Sequence, residues 1–83
     1  MARKNKNFVI EIRDHLKVLS EGNRGWTKEV NVISWNKRNP KVDIRDWNED
    51  HGKMGKGITL KKEELKKLKE LLEKLDIDAL DID

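Results

Sequence analysis

The stretch PKVDIRDWNEDHGKMGKGITL, Pro40 to Leu60, decides how the chain folds. Apolar and charged residues alternate through Lys41–Trp47, a glycine-rich basic segment follows, and an apolar run resumes at Ile58. Strict alternation marks a strand with one buried and one wet face. Val42 and Ile44 fall on the side predicted to be buried; Lys41, Asp43, Arg45 and Trp47 fall on the other. Cations beside an exposed indole suit a partner made of phosphates and flat bases, namely nucleic acid. The plainer reading is that Trp47 covers a sheet edge and the cations are solvated.

Working outward, Phe8, Ile10 and Ile12 share one face of a first strand, and apolar residues resume at Leu16 and Val18. This interruption predicts a bend or bulge near Asp14-His15. Ser20 to Gly25, with two glycines, is a turn cluster. A second strand spans Trp26 to Trp35; Val30 and Val32 take one face while Ile33 and Trp35 take the other. Either that strand is covered on both sides or a bulge shifts its phase. Asn36 to Pro40 is the next turn, and the sole proline suits a strand start. The third strand is about 41–47, Asn48 to Lys56 is a polar loop, and a short fourth strand runs over Gly57–Leu60.

Then the period changes. Leu65, Leu68, Leu71, Leu72 and Leu75 subtend an arc of roughly 120° at helical spacing, a single apolar stripe. Glu63 and Glu64 suit the first turn, where the helix dipole favours negative charge. The helix is predicted over about 62–75, packed against its own sheet, a second subunit, or both. Strand, strand, strand, strand, helix with short connections is an α+β plan: a curved four-stranded antiparallel sheet followed by one C-terminal helix, with one sheet face left open.

Eighty-three residues make one small domain with a modest core. Residues 1–6 are expected to be a flexible basic arm, 7–75 the folded domain, and 76–83 an acidic tail that either frays or docks as a short amphipathic extension. No cysteine braces the fold, so a second copy of the chain would help it, and a homodimer is expected. No apolar run reaches membrane-spanning length and no signal core follows the basic start, which points to the cytoplasm, with nucleoid association compatible. Residues 1–57 carry 13 Lys and Arg against 8 Asp and Glu; residues 58–83 carry 6 against 8. The basic part favours an anionic partner.

The remaining chemistry is thin. The segment Gly52 to Gly57 lacks the Gly-Lys-Ser/Thr ending before a helix that a nucleotide-phosphate loop needs. His15 and His51 are far apart in sequence, no ligand spacing suggests a metal, and no nucleophile is paired with a base. No enzyme activity and no cofactor are expected.

Gly25-Trp26-Thr27-Lys28-Glu29, Ser34-Trp35-Asn36, Lys41-Val42-Asp43-Ile44-Arg45-Asp46-Trp47 and Lys53-Met54-Gly55-Lys56-Gly57-Ile58-Thr59-Leu60 follow one another in a familiar order and spacing. In these segments the chain resembles the bacterial YdbC-type proteins, prokaryotic relatives of the single-stranded-DNA-binding domain of the eukaryotic transcriptional positive cofactor four. The resemblance spans roughly residues 7–75. It implies a dimer whose helices contribute to the interface and whose open sheet faces bind single-stranded DNA with little sequence preference, in transcription regulation or genome maintenance, with the transcription machinery as a further partner. By position it carries over Arg45 as the arginine that meets DNA, Trp47 beside or at the aromatic that follows, and Lys53 and Lys56 as the basic residues before the last strand. Trp35, Asn36 and Lys37 fall at a turn that presents an aromatic and basic residues, though the turn length differs here. Lys41 and Lys28 complete the expected contact set, with Arg13 and Trp26 as lesser additions. The eukaryotic relatives also carry a long serine-rich regulatory region, whereas about six residues precede the first strand here. The rival reading is a protein-interaction module using exposed tryptophans and the helix stripe; a preference for RNA is a third.

Overall fold

The structure, a computed structural model, describes residues 9–83; the expected basic arm and the strand start at Phe8 lie outside the described residues. Strands β1 (Ile10–Glu21), β2 (Thr27–Trp35), β3 (Lys41–Trp47) and β4 (Met54–Leu60) precede one helix, α1 (Lys62–Lys74). The four strands form one antiparallel sheet in chain order, as short connections require.

The irregularities sit where the alternation broke. β1 slips register against β2 three times, between Ile12 and Asp14, His15 and Lys17, and Val18 and Ser20. Such bulges twist an edge strand and blunt its tendency to pair with other chains. β2 pairs with β3 without a slip, so its apolar residues on both sides reflect covering of both sides: Ile33 is buried on one and Ser34 on the other. The β2–β3 connection turns at Asn36 and Lys37, both left-handed (φ 54° and 63°). The Arg38 amide donates to the Trp35 carbonyl (3.0 Å), as in the primed turns whose twist suits a hairpin.

The fourth strand is longer than its apolar run suggests. It starts at Met54, opposite Trp47, rather than at Gly57, and one irregularity falls between the Arg45 and Trp47 pairings. Gly57 faces Arg45, and a Cβ at that position would lie 2.2 Å from the Arg45 Cβ and 2.3 Å from the Ile44 carbonyl oxygen. Only glycine lets the strands approach this closely.

The expected burial of β3 is reversed. The alternation holds, but Asp43 and Trp47 are buried while Val42 and Ile44 are only half-buried. Arg45 lies against Asp43 and the His51 ring against Trp47, so each is covered by a neighbour on its own face without a second layer. Ile33 and Trp47 are the buried apolar side chains among the described residues.

The Lys61 amide donates to the Glu64 carboxylate (2.8 Å), Glu63 and Glu64 occupy the first turn of α1, and Lys74 the last. These satisfy an orphan donor and complement the helix dipole. The leucine stripe finds little cover: α1 packs chiefly against the β3–β4 side of the sheet, and Leu65, Leu71 and Leu72 stay exposed. Beyond the helix the acidic tail makes one 3₁₀ turn, Ile77–Ala79, with Ile77, Leu80 and Ile82 exposed.

Candidate nucleic-acid interface

Residues directly opposite across antiparallel strands share a face. On that rule Glu29, Asn31 and Ile33 of β2 lie with Arg45, Asp43 and Lys41 of β3. Ile12 and His15 of β1 join them through Ile33 and Asn31, and Gly57 and Thr59 of β4 through Arg45 and Asp43. Trp35 and Trp47 follow by alternation. We call this the Arg45 face.

At its centre the Arg45 guanidinium grips Asp43 with two bonds, Nε to Oδ1 (2.7 Å) and Nη2 to Oδ2 (2.8 Å). The two residues sit two apart on one strand, so alternation alone points both the same way. Asp43 is wholly buried and the Arg45 side chain is 14 % exposed. Bidentate geometry of this kind fixes the guanidinium plane. Its central carbon lies 4.8 Å from the Trp35 ring centroid, within range of a cation–π contact. Beside this stack opens a hollow of about 460 Å³ lined by Trp35, Arg38, Asn39, Lys41, Arg45 and Thr59, among others. No residue of α1 lines it. Asp43 offsets the charge of Arg45, so the net positive charge of the hollow comes from Arg38 and Lys41.

A second cluster lies toward β1. Glu29 is buried, and its carboxylate accepts from the Thr27 hydroxyl, Asn31 Nδ2 (3.1 Å) and His51 Nε2 (3.0 Å to each oxygen). His15 Nδ1 lies 2.6 Å from Asn31 Oδ1 and 3.6 Å from Glu29 Oε1. Burial would push the Glu29 carboxyl up; the bonds from Thr27, His51 and Asn31, with the His51 charge, outweigh it and hold the carboxyl below its ordinary value. His51 is placed by its loop. Asn48 accepts at its carbonyl from the His51 amide (3.0 Å) and closes the loop against Lys53 through backbone and side chain, and His51 takes a left-handed φ of 60°.

Of the residues singled out in the sequence, Trp35, Arg45 and Lys41 converge. Trp47 is a correction: it is 3 % exposed rather than open for stacking, with its ring 5.4 Å from that of His51. It packs because the His51 loop folds back over it. Asn36 is also engaged, accepting at Oδ1 from the Val9 amide (2.8 Å) and donating its own amide to the Val9 carbonyl (2.6 Å). Lys37 is exposed at the tip of the same turn. Lys28 is placed opposite Asp46, and alternation puts both on the face away from Arg45. Lys53 and Lys56 are exposed, and Lys53 lines a separate hollow with Arg24, Trp26, Glu49 and Asp50. Arg13 pairs with Glu11 on the exposed edge strand (2.9 Å).

Sequence reading missed Arg38, Glu29 and both histidines. Arg38 stood in a turn whose geometry was open. The histidines are 36 positions apart in the chain, and only strand pairing and a left-handed loop residue bring them to one carboxylate. Among the described residues no group of His, Cys, Asp and Glu is arranged to hold a metal ion, and no helix is long and apolar enough to cross a membrane.

A protein of Treponema pallidum (strain Nichols), described as uncharacterized, is 42 % identical over 74 residues, covering 89 % of this chain and 87 % of its own length. The transcriptional coactivator p15 (PC4) family, whose members bind single-stranded DNA, matches residues 22–71, which takes in β2, β3, β4 and most of α1. Both the Arg45–Trp35 stack and its surrounding hollow are built from that matched segment, and the chain belongs to the transcriptional coactivator p15 (PC4) family.

Proposed function

We propose that the chain binds single-stranded DNA on the Arg45 face with little sequence preference, as a homodimer acting in transcription regulation or genome maintenance in the cytoplasm. One observation carries the reading: a guanidinium held over an indole, at the edge of an open hollow flanked by Arg38 and Lys41. An unpaired base stacking on such a platform gains about 1–3 kcal/mol whatever its identity. Cations on the rim meet the phosphates and release counterions. Arg45, Trp35, Arg38, Lys41 and Lys37 are the proposed contacts, with Lys53 and Lys56 along the backbone path. Trp47 and Asn36 hold the architecture.

The dimer is supported by what the chain leaves uncovered. Leu65, Leu71 and Leu72 on α1 are at least a third exposed, and fully covering one leucine contributes about 1.5–3 kcal/mol. A second copy presents the same stripe. This uncovered stripe is also what favours a protein-interaction module, and we assign it to self-association.

Titration of labelled single- and double-stranded oligonucleotides at two ionic strengths tests the function. Single strands should bind more tightly, and log affinity should fall with log salt by about 0.7 per neutralised phosphate. Absence of single-strand binding at low salt refutes the proposal, and stronger competition by an RNA of the same sequence reassigns the ligand.

A further inference from the structure

We infer that His15 and His51 are proton-controlled phosphate contacts of the Arg45 face, gated by the hydrogen-bond network that ties both rings to Glu29; the inference rests on the single-strand reading above. The network fixes every inward-facing role. Glu29 is 2 % exposed and can only accept when ionised. Asn31 Nδ2 donates to it, so the Asn31 carbonyl oxygen is the atom that faces His15. His15 Nδ1 must therefore carry its proton, and so must His51 Nε2 where it meets the carboxylate.

A neutral imidazole has one donor and one acceptor nitrogen. With the inward nitrogen of each ring a donor, the outward one is an acceptor in the neutral form: Nε2 of His15 and Nδ1 of His51. A lone pair there repels a phosphate oxygen. Protonation turns both outward nitrogens into charged donors without disturbing either inward bond. The side chains are 51 % and 40 % exposed, so a ligand can reach the outward edges. With Ile12, Val18, Glu29 and Asn31 the rings line a hollow of about 400 Å³ on the face that also carries Arg45.

The charge change is large for so small a site. With both rings neutral the cluster carries Glu29 alone, at −1; with both protonated it carries +1. From β3, Asp43 and Arg45 face the cluster as a mutually neutralising pair. From the loop, Asp50 stands next to His51 with its carboxylate accepting from the Gly52 amide (2.9 Å). On β1, Asp14 and Lys17 pair with Val32 and Val30 rather than with residues of this face. No residue of α1 lines the hollow. Gaining a proton on each outward nitrogen replaces a repelling lone pair with a charged donor, so the site should strengthen its hold on a strand as the solution acidifies.

The test uses the full chain and a fluorescein-labelled thymidine oligomer, whose bases do not gain protons in this range. Binding is measured at pH 8.0 and pH 5.5 over a salt series. Two exposed charge contacts predict a gain in affinity of roughly 2- to 30-fold at pH 5.5 and a salt slope steeper by up to about 1.4. His15→Gln with His51→Asn should show neither the gain in affinity nor the steeper salt slope between pH 8.0 and pH 5.5; asparagine is chosen because it tolerates the left-handed backbone at 51. Circular dichroism at both pH values establishes that the variant is folded, and the wild-type salt slope is a readout independent of any variant. A double variant that keeps the whole pH response overturns the inference, as does a wild type that binds the oligomer equally at both pH values. Failure of the wild type to bind at either pH in low salt refutes the single-strand reading itself.

Discussion

Replacing Arg45 by Ala tests whether the guanidinium is a structural clamp as well as a ligand group. In the native structure it satisfies both oxygens of Asp43, which has no solvent contact. Truncation strands a carboxylate where water cannot reach it. Removing one partner of a buried ion pair costs about 3–5 kcal/mol, a large share of the 5–15 kcal/mol that holds a typical domain together. For a domain of this size each kcal/mol moves the melting midpoint by about 4–8 °C. Arg45→Ala should therefore lower the midpoint by tens of degrees, or leave the chain unfolded at room temperature.

The control is to remove both charges. Asp43→Asn with Arg45→Gln leaves no stranded ion and should recover more than half of the lost stability, while binding of a thymidine oligomer stays weak. Thermal melts followed by circular dichroism, with oligomer titrations on each folded variant, separate the two roles. An Arg45→Ala protein as stable as the wild type would refute the reasoning, because it would mean that the Asp43 carboxylate pays no penalty for losing its partner. A double variant that binds as well as the wild type would instead remove Arg45 from the interface.

Other expectations are as direct. Lys41→Ala should lower the salt slope of oligomer binding by about 0.7, whereas Trp35→Ala should weaken binding by about 1–3 kcal/mol and leave the slope unchanged; titrations over a salt series distinguish charge from stacking. Leu72→Asp puts a charge into the exposed helix stripe and should turn a dimer into a monomer in sedimentation velocity. Glu29 has a folded pKa below its unfolded one, so its contribution to stability is present above the ordinary carboxylate range and lost as pH falls through the folded value. Urea midpoints between pH 6 and 3 should fall more steeply for the wild type than for Glu29→Gln, and parallel curves would contradict the assignment.

Much of the fold was legible because its signals are local. Alternation in Lys41–Trp47, glycines in the turns and the leucine period in α1 are each set by a few neighbouring residues. The order of strands followed from short connections. Burial was not legible in the same way: alternation says which residues share a face, and β3 kept that pattern while its buried residues, Asp43 and Trp47, fell on the side expected to be wet. A lone sequence takes Asp43 for a solvated residue because its partner, Arg45, looks equally solvated; only together do they become an internal pair. The reach of Met54 back to Trp47 was hidden for a related reason. Gly55 read as a loop residue and Gly57 as no more than a strand start, yet a close strand approach at Arg45 requires glycine at 57.

The same Asp43 that neutralises Arg45 also gives it a use. A free arginine would spread over many rotamers and lose that freedom on meeting a ligand. Gripped at Nε and Nη2 and laid against Trp35, it is fixed before any strand arrives, and affinity gains when the cost of ordering is met during folding. The division of labour on this face follows. On the proposed reading Arg45 and Trp35 would offer a rigid floor for a base, and the groups free to follow a phosphate backbone would be those without a carboxylate clamp among the described residues, Arg38 and Lys41 at the rim. On the β1 side a buried carboxylate orders two imidazoles rather than a guanidinium, so that a buried acid organises both halves of the surface. The difference is that arginine keeps its charge at every accessible pH while histidine does not, which gives the face one permanent half and one half set by the solution.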